Sequence, residues 1–360
     1  MSASNHYKNI LIVRTDRIGD VLLTTPAIAA LREKHLDAKI SILVTPQTRD
    51  IVDGNPYLDE VLIDDRKGAH RGFLGFLKLV WCLRKKRFDL AVIYHTKKRT
   101  NLLCFLAGIP NRAGYHNNKF GFLLTHKIKD TRPQGNKHEA EYCLGVLEAI
   151  GLDIPRRPDT LRLTMPLKKE SDEWVEGILR DNDILPSEQL IAVHPGASCI
   201  SKRWSAANFA EVINRLAEDH STRIFLIGGH ENQEITRTIK DRLEAKNSVI
   251  DLTAQTTISQ LASLFKRCQL LISNDSGPVH VAVAVETPVI SIFGRNQAGL
   301  SPFRWRPLGG KDIVLHKEVG CEICLAHNCI IDFECLKAIG VDEVLRAVKP
   351  LLDAGVSPRS

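Results

Sequence analysis

The sequence lacks the long apolar runs of membrane and secreted proteins. No run approaches the ~18 residues of a membrane-spanning helix. The best candidate, Val279–Phe293, is interrupted by His280, Glu286 and Pro288. The first nine residues, MSASNHYKN, have no apolar signal core, so secretion is not expected. Without a signal peptide, nine cysteines predict reduced thiols in a cytoplasm and not a disulfide framework.

Several motifs of common enzyme classes are also missing. No GxGxxG follows the first apolar run, which argues against a dinucleotide-dependent dehydrogenase. GxSxG, HExxH and the Walker spacing GxxxxGK[ST] do not occur either. An active site in this chain is therefore expected in turns that match none of these motifs.

Acidic residues are scarce in one part of the chain. Between Arg66 and Lys137 there are 17 Lys and Arg but only two acids, Asp89 and Asp130, which gives +15 in 72 residues. Because the whole chain carries +7, the remaining residues carry −8. Such an excess predicts an anionic partner, which could be nucleic acid, phosphorylated lipid or a membrane surface. A solvated surface is the alternative.

The residues that are present predict two α/β domains. A chain of 360 residues is too long for one ordinary core. Short apolar strands alternate with helices along both halves, which is typical of doubly wound parallel sheets. A stretch rich in Pro and Arg at 151–167 indicates the connection. We therefore predict domains at 1–165 and 166–360, with a ligand cleft between them.

The stretch Asn9–Lys34 predicts a strand, a polar turn and a helix. Ile10–Val13 is a short apolar run, and helical spacing begins at Asp20. An acidic side chain is thus expected at a helix N-terminus, at the carboxyl end of the first strand, where open α/β sheets bind ligands. Taken alone, Asp20 could be a simple N-cap.

Three polar turns follow predicted strands in the second half. The first is His194–Ser198, with Lys202 close behind as a candidate phosphate ligand. The second, Gly228–Glu231, weakly resembles a nucleotide-ribose site. The third, Ser273–His280, ends a strand and begins a helix, so its free N–H groups predict an anion site. Plain turns and capping are the alternatives for each.

A cysteine cluster lies near the end of the chain. Its four members, which surround His327, are Cys321, Cys324, Cys329 and Cys335. Four thiolates could hold a structural zinc ion. The spacing is tighter than in common zinc ribbons, so a disulfide or simply packed cysteines are alternatives.

In order along nearly the whole chain, these motifs resemble the ADP-heptose:lipopolysaccharide heptosyltransferases of glycosyltransferase family 9. The matching segments are RTDRIGD at Arg14–Asp20, HPGAS at His194–Ser198 with Lys202 and Trp204, and NDSGPVH at Asn274–His280. The resemblance implies a GT-B fold, in which two Rossmann-like domains face a cleft. It also implies inverting, metal-independent sugar transfer, with the acceptor on the N-terminal domain and the nucleotide-sugar on the C-terminal one.

The resemblance also assigns roles to individual residues. Asp20 corresponds to the catalytic base and Lys202 to the phosphate-binding lysine. The residues matched to donor binding are Ser198 near the diphosphate, Glu231 at the ribose, Thr256 near the adenine, and Asp275, Ser276, Gly277 and His280 in the donor loop. No metal ligand is expected in the active site. One extra residue between His194 and Lys202, and Pro278 beside the pocket, depart from the family pattern and leave the sugar open.

The implied activity is heptose transfer from ADP-heptose to Kdo-lipid A or the lipopolysaccharide inner core. The basic stretch suits such an anionic acceptor, and the basic helix end at Arg84–Arg87 is a candidate membrane contact. We thus expect a cytoplasmic enzyme, peripheral on the inner membrane, that does not bind nucleic acid. The alternatives are a transferase of the same fold for another nucleotide-sugar and a non-enzymatic protein that binds anionic lipid or nucleic acid.

Overall fold

The computed structural model describes residues 7–353 apart from residues 156, 220 and 245. The chain divides into two compact units, Met1–Pro166 and Leu167–Ser360. The predicted boundary, between residues 165 and 166, is next to this division. The first six residues, which entered the argument about a signal segment, lie outside the described part.

The first unit contains a six-stranded parallel sheet. Its strands are β1 (Asn9–Val13), β2 (Lys39–Val44), β3 (Glu60–Ile63), β4 (Leu90–Ile93), β5 (Asn111–His116) and β6 (His126–Lys129). Its α-helices are α1 (Ile18–Leu22), α2 (Thr25–Lys34), α3 (Arg49–Val52), α4 (Gly72–Lys86), α5 (Lys98–Leu106) and α6 (Glu139–Glu148). Short 3₁₀ turns occupy Pro46–Thr48, Gly121–Leu123, Arg132–Gln134 and Pro158–Leu161. The strand order is β3-β2-β1-β4-β5-β6.

The second unit contains another six-stranded parallel sheet. Its strands are β7 (Gln189–His194), β8 (Thr222–Leu226), β9 (Val249–Asp251), β10 (Leu270–Asn274), β11 (Val289–Phe293) and β12 (Ile313–His316). Its α-helices are α7 (Lys169–Asp181), α8 (Ala206–Ala217), α9 (Gln233–Lys240), α10 (Ile258–Arg267), α11 (Gly277–Ala284), α12 (Pro302–Trp305), α13 (Glu334–Lys337) and α14 (Val341–Asp353). Its 3₁₀ turns are Ile200–Lys202, His230–Asn232, Lys246–Ser248 and Ala326–Asn328. The strand order is β12-β11-β10-β7-β8-β9.

Both sheets have the Rossmann strand order. Counted from its own first strand, each sheet reads 3-2-1-4-5-6, and its neighbouring strands are parallel. This confirms the predicted α/β class with two doubly wound sheets. The order reverses between β1 and β4 in the first unit and between β7 and β10 in the second. The crevice at the carboxyl ends of these strands is where such sheets bind ligands.

Each sheet is held by apolar side chains from its central strands. In the first unit Leu11 and Val13 of β1 join a core cluster with Phe76 and Leu83 of α4. In the second unit the central strands share a buried cluster with Trp204, whose ring meets Phe209 edge to face at 5.0 Å. Because helices cover both sides of a doubly wound sheet, the central strands carry continuous apolar runs.

Two local features differ from what the sequence pattern predicts. The pattern indicates no strand at β6, because HKIK contains no apolar run; these residues are alternately half-buried and exposed at the sheet edge. The single helix predicted from Asp20 onward is two helices, α1 and α2. Pro26 has no N–H for the Leu22 carbonyl, and the Thr25 hydroxyl donates to that carbonyl at 2.7 Å instead.

The buried indole of Trp204 gives a test of the second core. Its Nε1–H donates to the Ile339 carbonyl at 2.9 Å, so Trp204→Phe leaves that oxygen without its donor. We expect a loss of about 1–3 kcal/mol in the free energy of unfolding, measured by urea titration. The matched change Trp81→Phe, at a side chain that is 58% exposed, should cost less than about 0.5 kcal/mol. Equal losses for the two variants would contradict this assignment.

Candidate active-site residues

The candidate residues of the first unit surround a buried guanidinium at the end of β1. Arg14 is 2% exposed and lies within salt-bridge distance of three carboxylates. Its Nη2 is 2.7 Å from Asp20 Oδ1 and 3.0 Å from Glu139 Oε1, and its Nε is 3.0 Å from Asp16 Oδ1. A buried cation requires such partners, because an unpaired charge in the interior is very costly.

Asp20 is not the N-cap that the sequence suggested. It is the third residue of α1, and the capping position is Arg17, whose side chain makes no capping bond. The carboxylate is instead fixed by Arg14, while the Thr24 hydroxyl donates to the Asp20 carbonyl at 2.9 Å. Asp20 thus has a defined orientation at the carboxyl edge of the sheet, which is what a proton acceptor requires.

Three acids around one guanidinium make the site rich in negative charge. Burial, together with the charges of Asp20 and Glu139, raises the pKa of Asp16 to about 7 against the lowering effect of Arg14. We therefore expect Asp16 to change its protonation state near neutral pH. The sequence interpretation did not single out Asp16, although it lies inside the quoted segment Arg14–Asp20.

Cations line the neighbouring strand ends of the same unit. Arg66 donates to the Thr15 hydroxyl at 2.6 Å, and His95 Nδ1 is 3.0 Å from the same oxygen. Burial and the surrounding cations lower the pKa of His95 to about 3, so its ring is neutral. Burial and the nearby ammonium of Lys119 lower the pKa of Lys97. Crowded cations of this kind favour an anionic ligand.

The second unit pairs Lys202 with Asp275. The Lys202 Nζ is 2.8 Å from Asp275 Oδ2 and donates to the Asp275 carbonyl at 3.1 Å. Arg295, which follows β11, lies 3.5 Å from the same carboxylate oxygen. The two cations come from different elements, and all three side chains are largely buried. The sequence predicted Lys202 and Asp275 but missed Arg295, whose only signal was its place after an apolar strand.

A neutral histidine organises the start of α11. His194 Nδ1 is 3.2 Å from the Ser276 hydroxyl and 3.3 Å from that of Ser273. Burial lowers the pKa of His194 to about 4, so the ring is uncharged at neutral pH. Ser276 is the N-cap residue and makes no side-chain capping bond, and Gly277 and Pro278 begin the helix. This helix start can therefore present backbone N–H groups to an anion.

A buried asparagine explains the glycines of two turns. Asn232 is 4% exposed, and its Oδ1 accepts the Gly229 N–H at 3.0 Å. A Cβ on Gly196 would lie 2.4 Å from Asn232 Nδ2, and one on Gly228 would lie 2.8 Å from its Cβ. These glycines allow the turns after β7 and β8 to pack on one side chain.

The remaining predicted residues also follow strand ends, but they are spread along the sheet edge. Ser198 and Glu231 are exposed after β7 and β8, Thr256 is half-buried after β9, and His280 is buried within α11. A Cβ on Gly229 would lie 2.4 Å from Glu231 Oε2, so the carboxylate folds over this glycine. The structure thus joins Lys202 and Asp275 directly and places the others on neighbouring turns.

The structure does not support the zinc site predicted at four cysteines, Cys321, Cys324, Cys329 and Cys335. Among the described residues, no group of three or more His, Cys, Asp or Glu side chains is arranged to hold a metal ion. The sulphurs of Cys324 and Cys329 accept backbone N–H groups, from Asn296 and Phe333, both at 3.3 Å. Burial and the neighbouring cysteines raise the pKa of the Cys335 thiol.

The acid cluster predicts a pH-dependent stability. The folded protein binds the Asp16 proton more tightly than the unfolded chain, whose pKa is near 3.8. The resulting stabilisation is greatest at pH values below the pKa of the unfolded chain. It is lost as the pH rises towards about 7, by up to about 1.4 kcal/mol per pH unit. The free energy of unfolding of Asp16→Asn, measured by urea titration, should therefore rise relative to that of wild type as the pH increases through this window. For the exposed control Asp37→Asn, the difference in free energy of unfolding from wild type should be the same at every pH in this window. A difference that is equally independent of pH for Asp16→Asn would contradict the prediction.

Within residues 7–353, leaving out the three undescribed positions, no helix is both long and apolar enough to cross a bilayer.

Comparisons with known proteins identify a family, its relatives and similar folds. The profile of glycosyltransferase family 9 (heptosyltransferase) matches residues 76–333. Lipopolysaccharide heptosyltransferase 3 of Escherichia coli is 28% identical over 301 residues, covering 80% of this chain and 83% of the relative. The crystal structure of the glycosyl transferase family 9 from Veillonella parvula DSM 2008 superposes with a TM-score of 0.86, at 25% identity, and covers 97% of this chain and 98% of that one.

A second solved structure has the same GT-B fold. The E. coli ADP-heptose lps heptosyltransferase II superposes with a TM-score of 0.78 at 21% identity, over 97% of this chain and all of that one. The family profile spans well over half of the sequence. With two Rossmann sheets and charged residues at their switch points, the chain belongs to glycosyltransferase family 9, the heptosyltransferase family, and is a glycosyltransferase.

Proposed function

We propose that this glycosyltransferase transfers heptose from ADP-heptose to the inner core of lipopolysaccharide, with inversion at the anomeric carbon. The names of the similar lipopolysaccharide heptosyltransferase 3 and ADP-heptose lps heptosyltransferase II support this donor and acceptor. The observation that carries the proposal is the Lys202–Asp275 pair beside the start of α11. Together they supply a cation and helix N–H groups for the diphosphate, and a carboxylate that can accept hydrogen bonds from sugar hydroxyls.

Donor binding is assigned to the second unit. Lys202 and the N–H groups of Ser276 and Gly277 bind the diphosphate, and Asp275 accepts hydrogen bonds from sugar hydroxyls. Lys202 is already held by Asp275 at 2.8 Å, so the cation is positioned before the donor arrives. The remaining donor contacts are those implied by family resemblance: Ser198 near the diphosphate, Glu231 at the ribose, Thr256 near the adenine and His280 in the donor loop.

Asp20 is the proposed general base. The acceptor oxygen attacks the anomeric carbon, the bond from that carbon to the ADP oxygen breaks, and the hydroxyl proton passes to the Asp20 carboxylate. ADP leaves with the negative charge, which Lys202 and the helix N–H groups stabilise. These groups already offset the charge of the leaving group, so we propose that transfer needs no bound metal.

The acceptor is assigned to the first unit because of its charge. The stretch from Arg66 to Lys137, with its excess of 15 positive charges, lies entirely within that unit. Cations such as Arg66, Lys97 and Arg132 lie near the ends of β3, β4 and β6. They suit the phosphates and Kdo carboxylates of an inner-core acceptor. We accordingly propose a cytoplasmic enzyme that works at the inner face of the inner membrane.

A comparison of donors tests the proposal. Purified protein is given Kdo-lipid A acceptors with ADP-heptose, UDP-sugars or GDP-sugars, and nucleotide release and product mass are measured. We expect turnover with ADP-heptose to exceed that with the other donors by about 100-fold. Turnover only with another nucleotide-sugar would overturn the assigned donor, and no turnover with any of them would overturn the transferase assignment on this acceptor.

The role of Asp20 can be tested separately. Asp20→Asn keeps the side-chain shape but cannot accept the proton, so the transfer rate should fall by about 10²–10⁴-fold. Binding of ADP, measured by calorimetry, should be unchanged because the donor groups lie in the second unit. The exposed control Asp153→Asn should retain full activity. Normal turnover in Asp20→Asn would assign the base to another residue.

A further inference from the structure

Helix α4 exposes an apolar stripe to solvent. Leu74 is 80% exposed, Leu77 39% and Trp81 58%. Their spacing, i, i+3 and i+7, places them along one side of the helix. The core side of the same helix carries different residues, Phe76, Leu79, Val80 and Leu83, which are buried. Packing within the first unit therefore accounts for one side of α4 and leaves the other unexplained.

Elements next to α4 also expose large apolar side chains. Phe73, at the start of α4, is 74% exposed. Helix α5, which contacts α4, exposes Phe105 by 46%, and the 3₁₀ turn that contacts α5 exposes Phe122 by 67%. Single exposed apolar residues are normal, but several large ones on adjoining elements mark an interaction surface.

All of the charged side chains on α4 itself are positive. Lys78, Arg84 and Lys85 are exposed, and α4 contains no acidic residue. The Lys85 ammonium lies 3.4 Å from the centroid of the Trp81 ring. By contrast, Lys86 is paired with Glu60 on β3. The outward cations thus border the apolar stripe, with long stems that can reach a polar layer.

This combination matches a lipid surface better than other partners. An apolar stripe with a tryptophan and a basic border is the pattern of helices that lie in the membrane interface. A second copy of this chain, meeting the same face around a two-fold axis, would bring the cations of both copies together. Nucleic acid would satisfy the cations but gains nothing from Leu74 and Leu77.

We propose that α4 docks the protein on anionic phospholipid bilayers through this stripe. Leu74, Leu77 and Trp81 enter the boundary between head groups and acyl chains, and Lys78, Arg84 and Lys85 contact the phosphates. The docking site is a property of α4. Its connection to a glycolipid acceptor rests on the proposed function, but vesicle binding itself requires neither donor nor transfer.

Vesicle co-sedimentation of the full-length protein tests the docking site. Wild type should bind vesicles of phosphatidylcholine mixed with phosphatidylglycerol about tenfold better than pure phosphatidylcholine vesicles, with a blue shift of tryptophan emission. The double variant Leu74→Ser with Trp81→Ser should bind the mixed vesicles about tenfold less well. A matched control, Leu185→Ser with Phe303→Ser, alters exposed apolar residues of the second unit and should bind as wild type does.

The alternatives give different results. The double variant Leu74→Ser with Trp81→Ser is called the α4 variant below. The proposal would be overturned if the α4 variant still bound the mixed vesicles, or if the control with Leu185→Ser and Phe303→Ser lost as much binding. The proposal would also be overturned if wild type bound no vesicles but self-associated with increasing concentration in sedimentation velocity, and if this self-association disappeared in the α4 variant.

A charge variant and an activity assay complete the test. Replacing Lys78, Arg84 and Lys85 by Gln should abolish the preference for the mixed vesicles, and a retained preference would contradict the proposed head-group contacts. Transfer to a water-soluble acceptor fragment should be equal in wild type and the α4 variant. Vesicle binding without any ADP-heptose turnover would refute the proposed function but not the docking site.

Discussion

The first unit is built around the burial of one positive charge. Arg14, at the end of the central strand β1, is almost fully enclosed, and it collects carboxylates from the following turn, from α1 and from α6. Satisfying that charge fixes the relative positions of these elements at the strand edge where Rossmann sheets bind ligands. The side chain proposed as base therefore also belongs to the ion cluster that holds these elements together.

The second unit assembles charge at the equivalent edge in a different way. There an anionic side chain, Asp275, lies between two cations, Lys202 and Arg295, and a neutral histidine supports the adjacent turn. The first unit thus gathers acids around a cation, and the second gathers cations around an acid. The first arrangement suits a proton acceptor and the second an anionic leaving group, although both stand on the same sheet topology.

The sequence predicted the two sheets well, because buried parallel strands are continuous apolar runs with a strong local signal. It failed where local signals are weak or absent. The edge strand β6 has no apolar run, and the break after α1 depends on side-chain hydrogen bonds to backbone carbonyls. Similarly, turns after strands located Asp20, Lys202 and Asp275, but the sequence did not indicate two further partners, Glu139 of Arg14 and Arg295 of Asp275.

Those partners are distant in sequence. Glu139 is 125 residues from Arg14, and Arg295 is 20 residues from Asp275. The cysteine spacing suggested a zinc site, but these described side chains are not arranged to hold a metal ion. Composition alone indicates nothing about which cation faces which acid, because pairing depends on how strands are ordered in the sheet.

The distance from Arg14 to Glu139 has a consequence for biosynthesis. At translation rates of about 5–20 residues per second, Glu139 is synthesised on the order of ten seconds after Arg14. During this interval the nascent chain contains a cation that β1 cannot bury with its full set of partners. Arg14 can therefore acquire its full set of partners only after α6 has been synthesised, when nearly all of the first unit has been made.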